Sequence, residues 1–332
     1  MHEKKYALAV IARIARRALL LVLASWGLLL ASDVFASCGS AFCAVNSNWA
    51  TEGAATYAGD SFDLRYEDLD QSQPRAGSRK VGVGQIPHDH DEVSTRNRNV
   101  VATFNRTFES GWGFSVIAPL VDRDHVHIHN DSTGQIPERW KFTEPGDVRA
   151  LGRYQFAVPD TANESVGGLR FGIKLPTGRK NIVNADGDVA ERSLQPGTGT
   201  VDGIVGAYFH QAMHDADAAW FVQTQFQRAL KSNQQFKPGS QFGVDLGYRQ
   251  GVTEKLAGIV QLNFIVKGRD RGAAAEPADS GGRSVFVSPG VSYSMSDRLS
   301  IYAFYQQPIY QHVNGVQLTA KNAFVVGLSG NF

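Results

Sequence analysis

From Ser61 onward the chain alternates apolar and polar residues with a period of two. Phe62, Leu64 and Tyr66 alternate with Asp63, Arg65 and Glu67, and Trp112, Phe114, Val116, Ala118 and Leu120 share one face of a later run. Leu169, Phe171 and Ile173 alternate with Arg170, Gly172 and Lys174. The second half repeats this, with Trp220, Val222, Thr224 and Phe226 facing away from Phe221, Gln223, Gln225 and Gln227. Successive side chains on a strand point to opposite faces, so each run predicts a strand with one apolar and one polar side. With weaker runs near 201–213 and 298–308, the total is about twelve strands.

Alternation alone would also fit a soluble sandwich or a lipocalin-like barrel with the apolar face inward. Three features separate the cases. The runs are about 9–13 residues long, against about 5–6 for a soluble strand, a length that suits a tilted strand crossing a bilayer. The polar face is rich in Gln, Ser, Asn, Gly and Arg, as in a hydrated lumen. Connections near 109–111, 159–165, 214–218, 251–254 and 295–298 are short, and those near 70–96, 122–147, 176–200, 231–240, 268–283 and 309–317 are mostly long. Strict interleaving of short turns and long loops is the habit of outer-membrane barrels. The pattern predicts an all-β protein, a transmembrane antiparallel up-and-down β-barrel with both termini on the periplasmic side. Phe104, Trp112, Phe171, Leu246, Leu262 and Val326 are expected to face lipid. Gln225 and Gln261 are expected to face the lumen, where an introduced Arg should cost little.

Composition agrees with this picture and narrows it. The 332 residues carry a net charge of +1, with 20% charged. That balance lacks the basic excess of a nucleic-acid binder. Gly at 34 residues and Phe at 19 suit strands and turns better than a helical core. Lys4, Lys5, Arg13, Arg16 and Arg17 precede an apolar run from Ala18 to Ala31, and Val34-Phe35-Ala36 supplies small residues at cleavage offsets. Residues 1–36 therefore read as a cleaved signal peptide, the apolar run being short for a spanning helix. Residues 37–58 follow as a periplasmic lead-in, and 59–332 as the barrel. Cys38 and Cys43, in CGSAFC, are expected to form a local disulfide in an oxidising compartment, with free or redox-active thiols as the alternative. C-x4-C lacks the His of a haem-attachment motif, and two thiolates make an incomplete zinc site.

The stretch Tyr305-Gln306-Gln307-Pro308-Ile309-Tyr310-Gln311-His312-Val313-Asn314-Gly315-Val316-Gln317-Leu318 resembles the closing hairpin of the MetA-pathway-of-phenol-degradation transporter-like family. Lys174-Leu175-Pro176-Thr177-Gly178, with the later Gly197-Thr198-Gly199, is similar to the same family. The resemblance covers mainly residues 165–332 and implies a channel-like barrel. The terminal Phe332, on an apolar-alternating strand, resembles the signal that such barrels present to the outer-membrane assembly machinery.

Two histidine clusters and one set of charges carry candidate chemistry. His88 and His90 lie in the first long connection, and His125, His127 and His129 in the second. Imidazoles and carboxylates bind divalent transition metals, and alternate histidines on an extended segment point the same way. The alternative is a solvated loop. Arg65, Arg149, Arg153, Arg170, Lys174, Arg249, Lys267 and Lys321 are assigned to the lumen, against Asp63, Glu67, Asp202 and Asp245. A basic lumen favours anions, whereas the same residues as a ladder of ion pairs would stiffen a filled barrel. The function expected is passage of small solutes through a barrel in the lipid bilayer, with a scaffold that sheaths a periplasm-delivered partner, such as a redox protein, as the alternative. His312-x-Asn314-Gly315 faintly matches a phospholipase motif but lacks the nucleophilic serine, so an enzyme is not expected, nor is any cofactor beyond a metal at the histidines.

Overall fold

The alternating runs become strands that pair in sequence order. A computed structural model describes residues 58–87, 90–131, 134–158 and 164–332. The expected signal peptide, Cys38, Cys43 and His88 lie outside the described residues. The strands are β1 Gly59–Gln71, β2 Gln73–Ala76, β3 Arg79–Lys80, β4 His90–Thr107, β5 Trp112–Asp131, β6 Gly134–Pro145, β7 Arg149–Val158 and β8 Glu164–Lys174. They continue as β9 Asp202–Met213, β10 Ala218–Ala229, β11 Gln241–Gly251, β12 Leu256–Lys267, β13 Gly282–Ser296, β14 Leu299–Val313, β15 Val316–Thr319 and β16 Asn322–Asn331. Each barrel strand pairs antiparallel with its neighbours, and the β1–β16 and β4–β5 pairings close the ring. β6 pairs only with β5, so twelve strands form the barrel itself. Closure leaves no unpaired edge, which is what lets strands cross lipid.

The outside of this barrel is apolar. Val100, Phe104, Trp112, Val116, Phe171, Leu246, Phe264, Tyr293 and Val326 are all exposed, and Leu262 on the same face is half-buried. Aromatic neighbours pack along it, as with Trp112 and Tyr154 at 5.0 Å or Tyr305 and Phe324 at 5.0 Å. Apolar exposure on this scale is untenable in water and is natural against acyl chains. The belt has limits that the sequence marks. On β5 it runs from Trp112 to Leu120, about 20 Å of depth for a tilted strand, close to the roughly 25 Å band of outer-membrane barrels. Beyond Leu120 the same face carries Asp122 and Asp124, paired with Arg98 at 2.8 Å and Arg139 at 2.6 Å. At the other edge Arg106 meets Asp60 at 3.1 Å.

The two ends differ. At the turn end the connections are tight: Phe108 N–H bonds to Trp112 O, and Gly111, at φ 80°, supplies the left-handed position that the reversal needs. At the loop end the connections are built rather than irregular. The connection near 122–147 is not a loop but a hairpin, in which β5 runs on to Asp131 and pairs with β6. The connection near 70–96 contributes β2 and β3, which with β15 make a small second sheet. Long alternation past the membrane edge is the physical reason: once strand pairing has started, extending it satisfies each further backbone group.

The segment between β8 and β9 folds back over the loop end. Asp147, in the β6–β7 connection, gathers it by accepting from Gly178 N–H at 3.1 Å, Thr198 N–H at 3.0 Å and Lys174 Nζ at 2.7 Å. Gly178 and Gly197 touch backbone to backbone, where a Cβ on either would collide. The two glycine-bearing stretches that carry the family resemblance are thus halves of one clasp.

Candidate functional site

Among the described residues, two cavities stand toward opposite ends of the lumen with a filled layer between them. One, of about 260 Å³, opens toward the loop end and is lined by Arg149, Lys174, Gln223, Asp245 and Lys267, with Arg192 and Pro196 from the folded-back segment. The other, of about 330 Å³, sits at the turn end among His210, Asp217, Arg249, Tyr302 and Ser329. Between them Glu67, Asn99, Asn263, Ser288 and Val325 have no exposure at all, at 0%. Solvent does not reach this layer.

Alternation explains how the layer is assembled, because every inward residue comes from the polar side of a strand. Arg170 donates to Gln223 at 2.6 Å, and Gln223 reaches Asp245 at 3.5 Å. Asn263 donates to Asp245 at 2.9 Å, Ser288 to Asn263 at 3.0 Å, and Gln306 to Ser288 at 3.3 Å. This belt runs from β8 to β14. On the other wall Arg65 donates to Glu67 at 2.8 Å, Asn99 donates to Glu67 at 3.3 Å, and the Tyr302 hydroxyl donates to Asp63 at 2.6 Å. Buried polar side chains need partners, and each of these makes at least one such bond.

The lumen is not polar throughout, which departs from the expectation of a hydrated interior. Leu69, Phe221, Ile259, Tyr302, Phe304, Ala323 and Val325 form an apolar cluster inside it. Glycines make room for the rings. A Cβ at Gly247 would strike the Phe221 ring, one at Gly290 Phe304, one at Gly327 Tyr302 and one at Gly168 Tyr208. Each ring therefore lies flat over a glycine of the adjacent strand, an arrangement that also steadies glycine within a sheet. Gln261 faces inward as expected but sits in this packed zone at 1% exposure, so an Arg there would have to displace packed neighbours, a cost that the expectation of a hydrated lumen left out.

The cations assigned to the lumen are mostly paired. Lys174 lies 2.7 Å from Asp147 and 3.5 Å from Asp202, Lys267 3.5 Å from Asp270, and Arg249 3.3 Å from Asp217. Arg153 is buried and bonded to Thr107, and Arg170 also stacks on Tyr208 at 4.9 Å. Arg65 and Arg149 are inward as well. Lys321 is not: it is exposed in the turn before β16, because the strand begins one residue later than the alternation suggests.

The histidines occupy strand, not loop. His90 begins β4 and His125, His127 and His129 lie in β5, above the Arg98–Asp122 level and so beyond the apolar belt. His125 and His127 point inward and are buried, at 0% and 5%, whereas His129, opposite His90 in the strand register, is exposed. Around them the fold gathers carboxylates. Glu92, His125 and His127 form one group with donor atoms within 4.8 Å of one another, and His90, Glu191 and Glu276 form a second. His90 Nε2 is 3.4 Å from Glu191 and 3.6 Å from Glu276. Burial, helped by the neighbouring His127 and Arg123, lowers the His125 imidazole to about 3, so it is neutral near pH 7. Burial also lowers His127. Glu92 is pushed up to about 8 by burial and by the charges of Glu276 and Asp279, and Glu191 rises for the same reason, with Glu92 beside it. Glu191 and Glu276 come from separate long connections. Neither stands in a recognisable spacing with the histidines, so sequence reasoning had no signal for them.

No protein-family model and no curated protein matches the sequence. Among solved structures, an outer-membrane channel from Pseudomonas putida F1 is similar with a TM-score of 0.59, over 83% of this chain and 96% of that one, at 9% identity. A structure of the NanC porin gives a TM-score of 0.44 at 12% identity, over 82% of this chain and 100% of that one. Identities this low speak to architecture, and the first match carries it. With its closed ring and external apolar belt, the chain has the fold of an outer-membrane β-barrel.

Proposed function

We propose that the barrel passes small solutes across the outer membrane, along a path shut by movable side chains. The observation that supports this is the pair of lumenal cavities, one toward each end, separated only by the layer of Arg170, Gln223, Phe221, Tyr302 and their partners. The layer is held by hydrogen bonds and rings on flexible side chains. Backbone does not cross it among the described residues. The solved neighbour, named as an outer-membrane channel, is consistent with the reading. The loop end faces outward and both termini face the periplasm, as expected of a barrel with short turns at its inner rim.

Two measurements test this. Proteoliposomes should swell in small polar solutes and not in large oligosaccharides; no swelling in any small solute favours the scaffold alternative. On whole cells, a membrane-impermeant thiol reagent should label Val189→Cys, exposed at the loop end. It should spare Val252→Cys, exposed at the turn end, until the outer membrane is broken. The reverse labelling would invert the topology.

A further inference from the structure

The mouth of the barrel holds an arrangement that solute passage does not require. His125 Nδ1 is 2.8 Å from the Thr95 hydroxyl, and His127 Nε2 is 2.7 Å from Glu138. Each ring thus has one nitrogen anchored, and the other turned toward the same point. The two remaining nitrogens, His125 Nε2 and His127 Nδ1, stand 3.4 Å apart. Nitrogens bound to a tetrahedral ion at about 2.0–2.1 Å are separated by about 3.3–3.4 Å. Glu92 adds an oxygen, Oε2, 4.0 Å from His125 Nε2. That oxygen is buried with no hydrogen-bond partner, which is costly for a carboxylate unless a cation meets it. Trp140 packs edge-on against His127 at 4.9 Å and holds the rings in place.

The plain alternative is a hydrogen bond between the two imidazoles. At 3.4 Å that bond is long, and it leaves the Glu92 oxygen without a partner whether the carboxyl is ionised or, as burial favours, protonated. A bound ion satisfies all three atoms. Anchoring the far nitrogen to a hydroxyl or carboxylate is how proteins orient metal-ligating histidines.

We infer that Glu92, His125 and His127 bind one divalent transition-metal ion of the zinc class at the mouth of the barrel. Two neutral imidazoles with one carboxylate select such ions over calcium or magnesium. The adjoining cavity of about 180 Å³, lined by His90, Glu191 and Glu276, gives the ion a way in, and a fourth position facing it falls to water or to Glu191, whose Oε1 is 3.9 Å from His127 Nδ1. Three protein ligands with an open position suit reversible capture from outside better than a closed structural site. The inference is independent of whether the lumen conducts.

The test is calorimetric titration of the full-length, detergent-folded, chelator-stripped protein with zinc chloride, in a Cys38→Ser/Cys43→Ser background. Unboiled gel mobility checks that each variant folds. One ion per chain should bind. His125→Ala with His127→Ala should abolish binding, and Glu92→Gln should weaken it. Thr95→Val and Glu138→Gln, which touch only the anchored nitrogens, should each weaken it by about 10–100-fold. His129→Ala should leave it unchanged, and calcium or magnesium chloride should give no comparable binding. Zinc binding that survives the double histidine variant, binding shared equally with calcium, or folded protein that binds no zinc would each overturn the site.

Discussion

The β4–β5 hairpin contains, in one continuous pairing, two regions with opposite chemistry. Between Val100 and Asn105, paired with Leu120 to Ser115, the outer face carries Val100, Phe104, Val116 and Leu120, and the inner face Thr103, Asn105 and Ser115. Between His90 and Arg98, paired with His129 to Asp122, the outer face carries Arg96, Arg98, Asp122 and Asp124, and the inner face His and Glu. Backbone geometry is continuous across the boundary, with one bulge between Glu92 and Ser94. What changes is the solvent outside, lipid in one region and water in the other. In lipid the strands can only seal and line; past it they carry ligating and titratable groups.

The largest test of that boundary is a charge on its outer face. Val116→Arg, within the belt, should cost about 2–4 kcal/mol of folding free energy in lipid vesicles, while Ile128→Arg, on the same face of the same strand, should cost less than about 1 kcal/mol. Urea titrations of vesicle-folded protein measure both, and equal costs would erase the boundary. Next comes the packing of the filled layer. Gly247→Ala forces a methyl group into the Phe221 ring and should cost about 1–3 kcal/mol. Gly258→Ala has nothing within 4 Å and should be close to neutral. If the two variants unfold alike, the ring does not rest on that glycine. The smallest effect belongs to the water-side ion pairs: a double-mutant cycle on Arg98 and Asp122, both partly exposed, should give about 0–1 kcal/mol, falling with salt.

Most of the barrel was legible because period-two alternation is a direct consequence of a wall with lipid on one side. Even the weaker runs near 201–213 and 298–308 are strands β9 and β14. The hairpin of β5 and β6 was read as loop because charge replaces apolar residues on its outer face, so the contrast that marks a strand disappears there. Lys321 was misplaced because alternation fixes a face but not where a strand begins. The inward aromatics were hidden for a different reason. Phe221 and Phe304 look like ordinary polar-face exceptions until Gly247 and Gly290 are seen beneath them. At the mouth, His90 and the His125–His127–His129 run were visible as two clusters, whereas Glu191 and Glu276 reach them only through the fold of two distant connections.

The central claim is that the lumen is a path closed by side chains, and single-channel recording in planar bilayers tests it most directly. Wild-type protein should show small conductance steps. Phe221→Ala, which empties part of the layer between the two cavities, should enlarge them, while Phe226→Ala, on the lipid face of the same strand, should leave them unchanged. Silence from both the wild type and Phe221→Ala, in protein shown to be folded and inserted, would contradict the account.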